Sequence, residues 1–156
     1  MQRLYVTFGI AFLASFVSKL AADAWLQGKS LLLSDFVGLH YTQNPGIAFG
    51  IRLPEQWQTG VIVLAMMLVG IAAWRSARTR SEHLGFGLIL GGALGNVVDR
   101  LPDGLVTDFF RVGSFPVFNV ADSCITIGVT VLLLEGLLTG RRIMSKHAGK
   151  EVPPFC

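Results

Sequence analysis

The chain has 156 residues, enough for one domain, with 52% hydrophobic residues, 15% charged residues and a mean hydropathy of +0.58. Soluble domains carry charge on roughly a quarter of their residues, so this composition points to a membrane protein. The net charge of +3 is small, and no basic stripe interleaved with aromatics is present, which argues against a nucleic-acid partner.

Four segments have the composition of a bilayer span, which needs roughly 20 apolar residues. The first covers about residues 4–22. Arg3 and the apolar run after it resemble a secretory signal, but no convincing cleavage site follows Lys19 and three more spans come later, so the segment is expected to be retained. Lys19 falls near the outer end of this helix, where its stem can snorkel to the headgroups. Residues 27–58 form the first outer segment. Its short apolar runs are broken by Ser34, Asp35, Gly38, the Asn44-Pro45-Gly46 triplet and Gly50, a punctuation of strands and turns. A structured connection of this length suggests function.

The second span covers about 59–74 and follows Gln56, Trp57 and Gln58. The loop RSARTRSE comes next, with Arg75, Arg78 and Arg80. The third span, about 84–98, is short unless Glu82 and His83 lie in the interface. It ends in GGALGNVVDRL, where Gly91, Gly92 and Gly95 permit close helix approach, and where Asn96 and Asp99 lie one turn apart with Arg100 adjacent. That polar corner reads either as a structural knot or as a substrate contact. The second outer segment, 99–116, leads to the fourth span at about 117–138. The basic tail follows from residue 141, and residues 148–156 are expected to be disordered. Arginines and lysines mark the cytoplasmic side, so both termini belong inside and both long segments outside. The expected fold is an α-helical integral membrane protein of one domain: a four-transmembrane-helix bundle with a small extracytoplasmic β-rich subdomain between the first and second helices.

Two acids stand in apolar surroundings on the outer side, Asp108 and Asp122. A carboxylate at the membrane surface needs a partner, water or a proton, and the nearest cations in sequence are Arg100 and Arg111. Two carboxylates held close share a proton, which suits peptide hydrolysis: one activates water and the other polarises the scissile carbonyl. The structural alternative is an Asp–Arg pair and a helix cap. Asp23, Asp35, Glu55, Asp103 and Glu135 show no pattern, although Glu135 can meet Arg141 or Arg142. His40, His83 and His147 are scattered, Cys124 and Cys156 have no metal-ligand spacing, and Ser123 and Cys124 lack a paired base.

The strings NPGIAFG, GGALGNVVDRL, GLVTDFF and FNVADS, in this order on a four-helix chain, resemble bacterial lipoprotein signal peptidase, or signal peptidase II. The sequence match is specific from Asn44 to Gly50 and from Gly91 to Gly128. The resemblance implies an intramembrane aspartyl peptidase whose catalytic dyad falls on Asp108 and Asp122. It also implies substrate-site roles for Asn44, Gly46, Asn96, Asp99, Arg100, Asn119 and Ala121. The implied substrate is a diacylglyceryl-modified prolipoprotein, cut N-terminal to the lipidated cysteine, with no metal or organic cofactor. The implied setting is the bacterial inner membrane, with membrane lipid around a monomer and the active site at the extracytoplasmic face. Phe109, Phe110, Phe115 and Phe118 would form an apolar collar near the dyad or serve as interfacial anchors.

Two positions depart from the family pattern. Ser15 and Phe16 stand where an Asp-Gln pair usually precedes the lysine of the first helix, and Ile47 replaces a small residue of the outer-loop motif. Asp23, one turn after Lys19, is a candidate substitute for the missing acid. A proton or ion relay is the rival class, but it calls for acids spread along a path through the bundle. An inactive lipoprotein-binding relative is the third reading.

Overall fold

In lipid a backbone can satisfy its polar groups only within itself, so long apolar runs fold as helices. The computed structural model describes residues 1–46 and 55–148. In chain order it contains α1 (Gln2–Trp25), β1 (Ser30–Leu32), β2 (Val37–Asn44), α2 (Glu55–Ser76), α3 (Arg80–Arg100), β3 (Val106–Val112) and α4 (Val120–Ala148). Each helix extends beyond its apolar run into polar flanks. Thr79 starts α3 with a capping box: its hydroxyl accepts from the Glu82 N–H, and Glu82 accepts from the Thr79 N–H at 2.8 Å.

Three helices are long and apolar enough to cross a bilayer, in the stretches Gln2–Trp25, Trp57–Ser76 and Val120–Thr139. Their exposed residues are large and apolar, among them Ile10, Leu13, Leu64, Leu68, Leu133 and Leu137. A soluble protein seldom presents so much contiguous apolar surface, whereas lipid covers it. α3 has a different character. All five of its glycines are buried, and they let two neighbouring backbones approach it. A Cβ at Gly91 would come within 2.5 Å of the Phe8 carbonyl of α1, and one at Gly92 within 2.6 Å of the Ala121 carbonyl of α4. Thus α3 is the central wedge, with α1 and α4 on it and α2 packed alongside. Small residues give membrane helices close packing where no hydrophobic driving force separates them from lipid.

The sheet is antiparallel with order β1-β2-β3. The expected β-rich unit between α1 and α2 is therefore only two-thirds of the sheet. Its third strand comes from the second outer segment, because VTDFFRV alternates between two buried faces and pairs with β2. A register shift between Leu39 and Thr42 places one extra residue in β2 opposite Phe109. The outer-loop residues 47–54, including the Ile47 departure, and the tail 149–156 with Cys156 lie outside the described residues, as do the side chains of Arg141 and Arg142.

Candidate active site

Strand alternation sends neighbouring β3 side chains to opposite faces. Thr107 and Phe109 face α1, where Phe109 packs with Ala22 and Leu26. Asp108 faces the other way and is the most buried large side chain of the described residues, at 1% exposure. Both its carboxyl oxygens are occupied. Asn44 Nδ2 donates to Oδ2 at 2.9 Å, from the diagonal position on β2, and Asn119 Nδ2 donates to Oδ1 at 2.8 Å. Burial pushes the Asp108 carboxyl up to about 6, and the charge of Asp122 pushes the same way; the Asn44 and Asn119 amides and the Arg100 charge oppose them.

Asp122 enters through the start of α4. Asn119 caps the helix: its Oδ1 accepts from the Asp122 N–H at 2.9 Å, and Asp122 Oδ2 accepts from the Asn119 N–H at 3.2 Å. The other oxygen of Asp122 accepts from Asn96 Nδ2 at 2.9 Å. Asn119 Nδ2 also donates to Asn96 Oδ1 at 3.1 Å. Asn44, Asp108, Asn119, Asn96 and Asp122 therefore form one continuous chain of hydrogen bonds drawn from β2, β3, α3 and the cap of α4.

Arg100 is 95% buried beside this chain. Its guanidinium donates to the Gly46 carbonyl and, at 3.3 Å, to the Asn96 carbonyl, while the Gly46 N–H donates to Asn44 Oδ1 at 2.8 Å. Among the described residues it forms no ion pair with either acid, so the expected Asp–Arg alternative gives way to a cation that holds Gly46 and acts on the acids at longer range. Arg111 is exposed. Ala121 offers no polar side-chain group; it is buried where α4 meets Gly92 and Gly95 of α3.

Asp99 turns away from the acids. Its Oδ2 accepts from the Thr107 N–H at 2.7 Å, and Oδ1 lies 3.3 Å from Lys19 Nζ. Lys19, near the outer end of α1, is paired by two acids, Asp23 at 2.8 Å and Asp99 at 3.3 Å. Tyr41 and Thr107 hydroxyls donate to Asp23 Oδ1 at 3.0 and 3.2 Å. Sequence reasoning did not single out Tyr41 or Thr107; the available signal was the i,i+4 spacing of Lys19 and Asp23. The four phenylalanines form a continuous series: Phe109 packs in the α1 core and lies 4.8 Å from Phe110, and Phe110–Phe118 and Phe118–Phe115 follow with centroids 5.6 and 5.8 Å apart.

The arrangement offers two carboxyls of different burial, linked by neutral amides and overlooked by one cation, which is a layout for moving protons. Residues 7–138 match the family described as signal peptidase (SPase) II. The chain is 39% identical over 148 residues to the lipoprotein signal peptidase of Syntrophomonas wolfei subsp. wolfei, covering 90% of this chain and 97% of that protein. It is 36% identical over 143 residues to that of Rhodococcus jostii strain RHA1, covering 86% and 72%. Two solved bacterial membrane enzymes share the fold. One has a TM-score of 0.79 at 22% identity and covers 100% of this chain and 96% of its own; the other has 0.78 at 25% identity, with coverage of 88% and 94%. Motifs, fold and relatives converge, and the chain belongs to the signal peptidase II family.

Proposed function

We propose that Asp108 and Asp122 are the catalytic pair with which this aspartic peptidase removes signal peptides from prolipoproteins. The observation that carries the reading is the single hydrogen-bonded chain joining the two acids, one fully buried with a carboxyl raised to about 6, the other half-buried on a helix cap. Two environments that differ in this way favour one protonated and one ionised carboxyl. The ionised acid takes a proton from water as it attacks, and the protonated acid donates to the oxygen of the scissile carbonyl. Asn44, Asn96 and Asn119 orient the pair, Arg100 holds Gly46 and through it Asn44, and Ala121 seats the second acid. Asp99 braces the corner.

In this reading all four helices span the bacterial inner membrane, with both termini cytoplasmic and the acids near the extracytoplasmic surface. The substrate carries its lipid on the cysteine that follows the cut, so the bond to be cleaved lies at the height of the acids. Each chain holds a complete pair, which supports a working monomer surrounded by lipid. The test is cleavage of a purified diacylglyceryl-modified prolipoprotein by wild type, Asp108→Asn and Asp122→Asn. Cleavage by the wild type alone, with both variants folded, is the expected result. Equal cleavage by all three removes the acids from the reaction.

A further inference from the structure

The cluster of Lys19, Asp23, Asp99, Tyr41 and Thr107 is separate from the chain of amides, yet it grips the residue next to Asp108. Thr107 is 5% exposed and is held twice: Asp99 accepts its N–H at 2.7 Å, and Asp23 accepts its hydroxyl at 3.2 Å. Lys19 lies between the two acids, 2.8 Å from Asp23 Oδ2 and 3.3 Å from Asp99 Oδ1, so neither can swing away alone. The remaining lone pairs of Asp23 Oδ1 take the Tyr41 hydroxyl at 3.0 Å. Tyr41 reaches it from the irregular stretch of β2 between Leu39 and Thr42, where the local twist re-aims a side chain.

We infer that Asp23 is a positioning residue for the reaction: by holding the Thr107 hydroxyl on one face of β3, it sets the direction in which Asp108 leaves the other face. The inference rests on the reading of Asp108 as catalytic. In a pleated strand adjacent side chains share one peptide plane and point to opposite faces. Rotation at Thr107 therefore rotates Asp108 relative to Asn119 and Asn44. The clamp joins α1, α3, β2 and β3, so it ties the strand to two membrane helices rather than to its sheet alone. None of its members hydrogen-bonds the Asp108 carboxyl, and its loss leaves the Asn44 and Asn119 contacts chemically possible but poorly aimed.

The experiment uses the full-length detergent-purified protein and the diacylglyceryl-modified prolipoprotein. Thr107→Val removes the hydroxyl and keeps the branched shape of the strand residue; Thr107→Ser restores the hydroxyl; Asp23→Ala removes the acceptor; Asp23→Ala with Thr107→Val removes both. Misaiming a reacting group lowers turnover by about 10- to 100-fold. The expected result is a fall of that size in kcat for Thr107→Val and for Asp23→Ala, with KM within about twofold, recovery in Thr107→Ser, and no further loss in the double variant. A chain with wild-type kcat in either Thr107→Val or Asp23→Ala overturns the inference, as do losses that multiply in the double variant or a Thr107→Ser variant as slow as Thr107→Val. Should Asp23→Ala fail to fold, Thr107→Val and Thr107→Ser decide. Asp108→Asn in the same assay separates the two readings: if it cleaves, the catalytic assignment has failed, and if it is inert while Thr107→Val is fast, only the positioning role has.

Discussion

Asn119 and Asp122 hold each other reciprocally, side chain to backbone in both directions, at 2.9 and 3.2 Å. The same asparagine reaches Asp108 through its amide at 2.8 Å. A helix cap has thus been joined to a second acid, and the stability and activity contributions of one residue can be separated.

Asn119→Ser keeps a good cap and loses the amide; Asn119→Ala loses both. Caps of this kind contribute about 1 kcal/mol, so Asn119→Ala should be less stable than Asn119→Ser by about that free energy and melt at a lower temperature. Both variants should lose about 100-fold in kcat, since a misplaced reacting group costs that much. Cleavage at the wild-type rate by Asn119→Ser would show that the amide link to Asp108 is dispensable.

The raised carboxyl of Asp108 links stability to pH. From its ordinary value of 3.8 up to about 6, the folded chain retains a proton that the unfolded chain has released. The folded state then binds more protons, and stability falls as pH rises through that window, by roughly 3 kcal/mol for this group alone. Melting followed between pH 3.5 and 7.5 should show wild type losing stability relative to Asp108→Asn across the window, with a constant difference above it (window edges are about half a unit beyond each value). A constant difference throughout would mean that Asp108 titrates normally.

The glycines of α3 divide the chain into tight and open positions. Gly92→Ala places a methyl 2.6 Å from the Ala121 carbonyl, one residue before Asp122. Overpacking of this sort costs about 1–3 kcal/mol, and here it also displaces the cap of α4. Activity should fall at least as far as thermal stability predicts. Gly70 in α2 has nothing within 4 Å of an added Cβ, so Gly70→Ala should be neutral or stabilising by up to about 1 kcal/mol. Paired melting and turnover measurements check both.

Arg100→Lys keeps the charge but cannot reproduce a planar fork that reaches both the Gly46 and Asn96 carbonyls. Losing one buried, charge-assisted bond costs about 1.5–3 kcal/mol. Because Gly46 in turn holds Asn44, which reaches Asp108, the loss should appear as a higher KM together with a lower kcat. Unchanged KM and kcat would show that the hold on Gly46 is dispensable.

The helices were legible because apolar runs in lipid have few alternatives, and the acids were legible because a carboxylate beside such runs is costly. Three things were not. β3 required a partner far away in sequence, and its aromatic-rich run looked like an apolar collar until β2 paired with it. A helix cap was expected from the sequence, but not its residue; the cap is Asn119, and Asn119-x-x-Asp122 is a capping box whose start was masked by the apolar Val117 and Phe118 before it. The Lys19–Asp23 pair was in view at i,i+4, but the second partner, Asp99, lies eighty residues on, in a corner where only the fold brings them together.

The return from β3 to α4 has a further consequence. Gly113, at φ +52, turns the chain, and Phe118 closes it with backbone bonds to Phe109 and Phe110 at 3.0, 2.7 and 3.1 Å. Asp108 lies on the incoming arm of this small closed loop, and its outgoing arm leads directly into the first turn of α4, which carries Asp122. Bilayers of different thickness make spanning helices tilt or bow. The two acids are thus joined by one short turn of chain as well as by the helices that hold them, so a change of tilt reaches the pair through α1, α3 and α4 while the turn limits how far the acids can part.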